Sequence, residues 1–171
     1  MLKYTSPKNI SDDKIKKAVQ KQLAYVFKSP DLLRQAFTHS TYANEHAIPS
    51  NEVLEFFGDV VLKLAITDII IDKFCQREGN GVLVTEHNEG YFTQLKEVYE
   101  KDETLATIIS DLGWFDYLLI GNCGLAEGVS VKADLFESIM GAIYVDSDKN
   151  MDDVRRAVDE MIDLLLAKDK H

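Results

Sequence analysis

The sequence predicts an all-α protein that forms a single domain over residues 1–171. Apolar residues recur at helical spacing through most of the chain, and few segments alternate with the period of two that strands show. No repeat, low-complexity run or Pro/Gly-rich linker divides the sequence. A composition with 46% hydrophobic and 28% charged residues is typical of a globular domain.

The first two helices are each predicted by a polar cap followed by apolar residues. Ser11 precedes two aspartates and is a candidate N-cap for a helix that places Ile15 and Val19 on one stripe. Ser29 and Pro30 are typical of a second helix start.

The remaining helices are predicted by longer apolar patterns. A helix over about residues 51–74, capped by Ser50, is apolar on nearly all sides and is expected to be central. The other predicted helices lie near 90–100, at 102–112 with an end at Gly113, at 131–146, and after a cap at Asn150. Irregular structure is expected at 75–88 and around 113–130.

The charge of the chain is negative overall but unevenly distributed. The formal net charge is −10, yet residues 1–40 hold eight Lys and Arg against three Asp and Glu. Residues 41–171 hold eleven basic residues against twenty-six acidic ones. An acidic protein is normally a poor partner for nucleic acid, because contacts from Lys and Arg to phosphates supply most non-specific affinity.

Compartment signals in the sequence favour a cytoplasmic protein. The N-terminus has no apolar signal-peptide core, and no stretch of about 18 uncharged apolar residues is available to span a membrane. Cys75 and Cys123 are too few for a disulfide framework and lack the spacing of a zinc site. We expect both to be reduced thiols.

The segment NEVLEFFGDVVL, residues 51–62, places three carboxylates in an otherwise apolar run. On a helix, Glu52, Glu55 and Asp59 fall within about 60° of one another, with Lys63 beside them. Ionised carboxylates are costly to bury unless another group pairs with them.

A second acidic pair, Asp134 and Glu137, lies at i and i+3 on the predicted helix at 131–146. Each of the two acidic helices also has an interior glycine, Gly58 in one and Gly141 in the other. An interior glycine costs about 1 kcal/mol relative to alanine, so close helix packing is its usual reason. If the helices cross there, Glu55, Asp59, Asp134 and Glu137 converge.

Two interpretations of these acids are compatible with their spacing. Acids at i, i+3 and i+7 are common on a solvated helix face. Alternatively, four converging carboxylates repel one another unless a divalent cation offsets their charge. Oxygen ligands favour Mg²⁺ or Mn²⁺, and such a metal is suited to the hydrolysis of phosphate esters.

Four ordered motifs resemble the ribonuclease III endonuclease domain. NEVLEFFGDVVL is similar to the signature Asn-Glu-Arg-Leu-Glu-Phe-Leu-Gly-Asp of that family. The other three matching segments are LLRQAFTHSTYANE at 32–45, EGYFTQLKEVYEKDETLATI at 89–108 and KADLFESIMGAIYVD at 132–146. Together the motifs cover roughly residues 15–165.

The resemblance implies a Mg²⁺-dependent endoribonuclease, with Mn²⁺ as a substitute, that acts as a symmetric homodimer. Such an enzyme cuts double-stranded RNA and leaves 5′-phosphates and short 3′ overhangs. The matching metal-binding catalytic carboxylates are Glu55, Asp59, Asp134 and Glu137. Glu52 and Glu89 match two further acidic positions at the edge of the active site, and Phe56 matches an aromatic residue at the dimer contact.

Some residues depart from the family pattern. Val53 stands where the family usually has Arg, and Lys96 and Glu97 replace its Arg-Ala pair. Residues 77–88 are longer than the usual connection, and Glu78 is a rival match for the Glu89 position. The double-stranded-RNA-binding domain that usually follows has no counterpart, so we expect weak RNA binding or help from a basic RNA-binding partner protein.

Other functions compete with this interpretation. A non-cleaving protein of the same fold could act as a dimerisation or scaffold protein in RNA processing, although a scaffold has no need for four repelling acids. None of the histidines is followed by Asp, which argues against the helical His-Asp phosphohydrolases. All-α nucleotide pyrophosphohydrolases pair a Glu-x-x-Glu motif with nearby acids, whereas Asp134 lies far from Glu52 in sequence.

His39 and the aromatic residues at 114–117 are the other side chains that could have a function. His39 is expected to be a structural histidine within its helix. An aromatic cluster at 114–117 could stack on nucleic acid but is more typical of core.

Overall fold

A computed structural model describes residues 3–4 and 12–168, with side chains for 15–124 and 127–162. Within these ranges the chain forms eight α-helices and four two-residue strands. The helices are α1 (Asp12–Gln22), α2 (Pro30–Ala36), α3 (Ser40–His46), α4 (Glu52–Phe74), α5 (Glu89–Glu100), α6 (Asp102–Leu112), α7 (Val129–Asp146) and α8 (Met151–Lys168). The strands are β1 (Lys3–Tyr4), β2 (Gln76–Arg77), β3 (Leu83–Val84) and β4 (Leu125–Ala126).

The predicted all-α class is confirmed, and the strands are minor additions to it. β1 pairs with β4, and β2 pairs with β3, both antiparallel. The β2–β3 hairpin occupies the stretch predicted to be irregular. Across the described part of the chain, no helix combines the length and the apolar character that a membrane crossing requires.

The core is organised around α4 and α7, which pack along each other, with α8 against α4 and α6 against α7. The buried face of α4 includes Val61, Leu62, Ala65, Ile66 and Ile69. Since α4 and α7 also carry the two acidic groups, their packing fixes the position of the candidate site.

The two helices cross at Gly58 and Gly141, as the sequence predicted. A Cβ atom added to Gly58 would lie 1.8 Å from the carbonyl oxygen of Glu137, and one added to Gly141 would lie 2.1 Å from that of Leu54. No side chain fits at such distances, so glycine is required at both positions. The close approach brings the backbone of Glu137 directly against α4.

We expect Gly58→Ala to destabilise the protein substantially. The new methyl group must push α7 away from α4, and overpacking a core typically costs about 1–3 kcal/mol. For a domain of this size, this corresponds to a fall in melting temperature of roughly 3–10 °C. Gly90→Ala is the matched control, because a Cβ at this helical position would approach only Asn88 Oδ1, at 3.4 Å. A Gly58→Ala variant that melts like wild type would contradict the crossing.

The helix ends agree with the predicted caps in most places. Ser29 Oγ accepts a hydrogen bond from Leu32 N at the start of α2, and Pro30 is the first helical residue. Gly113 ends α6 with a φ of 67°. The predicted cap of α4 is corrected: Asn51 holds the N-cap position without a side-chain cap bond, and Ser50 Oγ instead accepts from Glu52 N at 3.4 Å.

The predicted cap at Asn150 is present, since its Oδ1 accepts a hydrogen bond from Asp152 N at 3.1 Å. Ser11, the predicted cap of α1, lies outside the described residues. Trp114 and Phe115 are buried, so they belong to the core rather than to an RNA-stacking surface.

One buried acid anchors the connection between α1 and α2. Asp146, at the end of α7, accepts hydrogen bonds from the Tyr25 hydroxyl at 2.6 Å, Lys28 N at 2.7 Å and Ser29 N at 2.8 Å. Burial and this carboxylate together raise the pKa of Tyr25. Asp146 therefore has a structural partner for its charge and is separate from the acidic group near the helix crossing.

Candidate active site

Acidic side chains from α4 and α7 line an open pocket of about 580 Å³ beside the helix crossing. The pocket also contains polar and apolar side chains from the residues before α4 and from α7. Its lining residues are His39, Ser40, Asn51, Glu52, Glu55, Phe56, Asp59, Val131, Asp134 and Glu137. Five of the six acids singled out in the sequence therefore face one pocket.

Three carboxylates are close enough to share one cation. Oxygen atoms of Glu55, Asp134 and Glu137 all lie within 4.8 Å of one another. Ligand oxygens around an octahedral Mg²⁺ are about 2.9–4.2 Å apart, given metal–oxygen bonds of about 2.0–2.1 Å. Small side-chain rotations would therefore complete a site, and the all-oxygen donor set fits a hard divalent cation.

Asp59, the fourth predicted ligand, lines the pocket but pairs with a lysine instead of joining this group. Lys63 Nζ lies 2.5 Å from Asp59 Oδ1, one turn along α4. Hydrogen bonding to Asp59 raises the pKa of Lys63, which keeps the ammonium charged. The sequence placed Lys63 beside the acids but did not predict that it would form an ion pair with Asp59.

The carboxyl groups of Glu55, Asp134 and Glu137 resist ionisation when no cation is present. Burial, reinforced by the charges of Asp59, Asp134 and Glu55, raises the pKa of Glu137 to about 8. Burial also raises the pKa values of Glu55 and Asp134. Such shifts are expected where like charges are held together in a partly desolvated site.

We expect divalent cation affinity to rise with pH up to about 8. A carboxylate must lose its proton to ligate a metal, and Glu137 holds its proton until about that pH. Affinity should therefore increase by up to about tenfold per pH unit between pH 6 and 8 and then level off. Calorimetric titration with Mn²⁺ in two buffers of different ionisation enthalpy measures both the affinity and the proton release. Affinity that is flat across this range would contradict the raised pKa.

The two outer acids occupy different positions. Glu52 is exposed at the rim of the pocket, where its Oε2 accepts a hydrogen bond from Ser50 Oγ at 2.8 Å. Glu89 is the first residue of α5 and is exposed, but it is not among the pocket-lining residues. Its rival, Glu78, lies in the turn of the β2–β3 hairpin and is also absent from the lining.

His39 lies in the pocket, which the sequence interpretation did not foresee. The sequence analysis expected His39 to lie within a helix, but it is the N-cap of α3. There its Nδ1 accepts a hydrogen bond from Thr41 N. Burial lowers its pKa, against a smaller opposing effect of Glu52. A His followed by two hydroxyl residues was the available signal for a cap, but that signal does not indicate which surface the ring faces.

Comparison with known proteins places the chain in a family. The model of the family described as Ribonuclease-III-like matches residues 29–163, which include α2 through most of α8. The chain belongs to the ribonuclease-III-like family. The match contains both acidic helices and the glycines at which they cross.

Curated relatives named Ribonuclease 3 are similar to most of this ribonuclease-III-like chain. The Treponema succinifaciens protein is 38% identical over 151 residues, covering 85% of this chain and 41% of the relative. The Roseburia hominis protein is 33% identical over 168 residues, covering 88% of this chain and 47% of the relative. The chain thus spans less than half the length of these two relatives.

Solved structures show the same ribonuclease-III-like fold. A crystal structure of the nuclease domain of Campylobacter jejuni ribonuclease III has a TM-score of 0.69 at 27% identity, covering 91% of this chain and 95% of that domain. A second structure of that domain, with a TM-score of 0.70, 27% identity and coverage of 85% and 94%, concerns flexibility in a region involved in its dimer formation.

Proposed function

We propose that this chain is a Mg²⁺-dependent endoribonuclease that hydrolyses double-stranded RNA to 5′-phosphate ends with short 3′ overhangs. The observation that carries the proposal is the approach of Glu55, Asp134 and Glu137 to within 4.8 Å in an open pocket. Family membership supports the reaction class, and the oxygen donor set supports Mg²⁺, with Mn²⁺ as a substitute.

Four of the acids are proposed to hold the cation. Glu55, Asp134 and Glu137 hold the cation, and Asp59 joins them once it separates from Lys63. When bound, Mg²⁺ lowers the pKa of a water molecule and stabilises negative charge on the phosphate. In the hydrolysis itself, a water oxygen would bond to phosphorus as the bond from phosphorus to the 3′ oxygen breaks. The 3′ oxygen would take up a proton, and the phosphate would stay on the 5′ end.

Glu52 and Glu89 are proposed to assist at the edge of the active site rather than to anchor the cation. The rim position of Glu52 and its hydrogen bond to Ser50 support this role. Glu89 is not among the residues that line the acidic pocket, so its contribution requires substrate or a second subunit near the start of α5.

The proposed enzyme is a homodimer formed through the exposed apolar stripe of α4. Val53, Phe56, Phe57, Val60 and Leu64 are 48–69% exposed and fall on one side of the helix. Exposed apolar side chains that form a patch are typical of an interface. The C. jejuni nuclease domain, which also has a region involved in dimer formation, supports this proposal. Each subunit would then cut one strand of the duplex.

We expect the isolated 171-residue chain to bind duplex RNA weakly and with a shallow salt dependence. Its net charge is −10, and the exposed lysines of α1 include Lys17 and Lys21, with Lys16 partly buried. Lys14, a fourth candidate, lies outside the residues with described side chains. Each neutralised phosphate steepens the log–log salt slope by about 0.9, so the few contacts that α1 can make imply a shallow slope compared with that of a strongly basic binder.

A salt series measured in Ca²⁺, which keeps the duplex uncut, tests this expectation. Replacing the four α1 lysines by Gln should flatten the slope further, whereas Lys101→Gln, an exposed lysine outside α1, should leave it unchanged. Nanomolar binding at physiological salt that survives the fourfold replacement would contradict it. Weak binding would support the proposal that a basic partner protein supplies RNA affinity. The proposed compartment of the enzyme is the cytoplasm.

A cleavage assay on a long RNA duplex tests the proposed function. With Mg²⁺, the purified chain should produce short duplexes with 5′-phosphates, identified by end mapping, and EDTA should abolish cleavage. A single-stranded RNA of the same sequence is the substrate control. A chain that binds Mg²⁺ but leaves the duplex intact would refute the proposed activity and favour a non-cleaving role.

A further inference from the structure

The acidic pocket contains few groups that can hold an anion. Five of its ten lining residues are carboxylic acids, and neither Lys nor Arg is among the ten. An RNA phosphodiester entering the pocket is itself negative, so its oxygens need hydrogen-bond donors besides a cation. Apart from a carboxyl group that keeps its proton, only the side chains of His39, Ser40 and Asn51 can supply donors among these residues.

The imidazole of His39 is held in one tautomer by its neighbours. Nδ1 accepts a hydrogen bond from Thr41 N at 3.2 Å and lies 2.9 Å from Thr41 Oγ1. That hydroxyl oxygen accepts from Gly121 N at 3.1 Å, which leaves its own hydrogen free to point at Nδ1. With two donors directed at Nδ1, the ring carries its proton on Nε2.

Backbone hydrogen bonds to other segments hold the chain around His39 in place, in addition to the cap of α3. His39 N donates to Leu119 O at 3.1 Å, and Asn51 N donates to Thr38 O at 2.8 Å. A Cβ on Gly121 would lie only 2.6 Å from Glu45 Oε1 and 2.7 Å from Thr41 O. The loop at Gly121 therefore packs directly against α3 and holds the start of this helix beside the pocket.

We propose that His39 is a substrate-binding residue that donates a hydrogen bond from Nε2–H to a non-bridging phosphate oxygen of the RNA. Nδ1 is committed to Thr41, so Nε2–H is the part of the ring that remains for the pocket. This inference rests on the proposed function, because it concerns the same pocket and the same substrate. A neutral donor suits the position, since it attracts the phosphate without forming an ion pair with the metal-binding carboxylates.

Two substitutions separate the capping role of His39 from the proposed donor role. His39→Asn keeps an oxygen that can cap α3, because Asn is among the best N-cap residues, but its shorter side chain withdraws the donor from the pocket. His39→Gln extends an amide nitrogen toward the position of Nε2 but loses the cap. His46→Asn is the matched control, because His46 is exposed at the far end of α3 and stacks on Tyr42.

The four proteins are compared by melting temperature, Mn²⁺ titration and single-turnover cleavage of an RNA duplex in Mg²⁺. We expect His39→Asn to melt and bind Mn²⁺ like wild type but to cleave about ten- to a hundredfold more slowly, the usual effect of losing a hydrogen bond to a charged group. His39→Gln should melt about 2–4 °C lower yet cleave faster than His39→Asn. His46→Asn should match wild type in all three measurements.

The outcomes distinguish this inference from the function on which it rests. An active wild type together with a fully active His39→Asn variant would refute the donor role alone. Loss of Mn²⁺ affinity in His39→Asn would also refute it, because His39 would then act through the carboxylates. A wild-type chain that does not cut duplex RNA would refute the proposed function and, with it, this inference.

Discussion

Replacing Glu137 by Gln is expected to slow cleavage of duplex RNA by about a thousandfold or more while the fold is retained. Gln preserves the size of the side chain but removes the negative charge from a group of three oxygen ligands that lie within 4.8 Å of one another. A loss of this size is typical when a group that acts on the transition state is removed. The measurement is single-turnover cleavage in saturating Mg²⁺, with Glu97→Gln on the exposed face of α5 as the matched control.

The same variant should be more stable than wild type when no metal is present. The pKa of Glu137 is about 8 in the folded chain against an ordinary value of 4.5, so the folded state binds the proton more tightly. The free energy of unfolding of wild type therefore falls as pH rises from about 4.5 to 8. Gln removes this loss, so its melting temperature in EDTA should exceed that of wild type by a margin that grows over this range.

Either of two results would contradict the assignment of Glu137. Cleavage by Glu137→Gln at the wild-type rate would show that this carboxylate is not needed for the reaction. Equal pH dependence of melting in the two proteins would show that Glu137 does not carry the raised pKa.

Replacing Phe56 by Ala is expected to weaken dimerisation by about two to three orders of magnitude. Phe56 is 69% exposed in one chain and contacts the ring of Phe57 edge-on, with centroids 5.4 Å apart. Truncating a phenylalanine that is buried in the dimer costs about 3–5 kcal/mol, and about 1.4 kcal/mol corresponds to a factor of ten. Analytical ultracentrifugation over a concentration series measures the dissociation constant.

Val26→Ala is the matched control for this variant. Val26 is 70% exposed but lies between α1 and α2, away from the apolar stripe of α4. Mn²⁺ affinity should also be unchanged in Phe56→Ala, because both acidic helices belong to one chain. An unchanged dimer affinity in Phe56→Ala would place the subunit contact elsewhere, and a chain that is monomeric as wild type would refute the dimer.

The central packing could be predicted because two local signals pointed to the same place. Gly58 and Gly141 are costly inside helices, and acids flank both at helical spacing. Each observation alone was ambiguous, but a crossing at the glycines accounts for both. Asp72, farther along α4, is separate from this acidic group and forms an ion pair with Arg155 of α8.

Features that depend on contacts distant in sequence could not be predicted. α3 is short and polar and buries only Ala43, so its sequence has no apolar stripe to reveal it. The position of His39 depends on a loop near Gly121, about eighty residues away. Asp59 was assigned to the ligand group from spacing, but spacing does not show whether a carboxylate meets a cation or a neighbouring lysine.

Anomalous diffraction from crystals grown with Mn²⁺ tests the central claim most directly. The claim is that carboxylates from α4 and α7 hold one divalent cation beside the helix crossing. We predict an anomalous peak within bonding distance of oxygens from Glu55, Asp134 and Glu137, and its loss in crystals of Glu137→Gln. A fully occupied Mn²⁺ elsewhere on the chain, with none between these three side chains, would contradict the account.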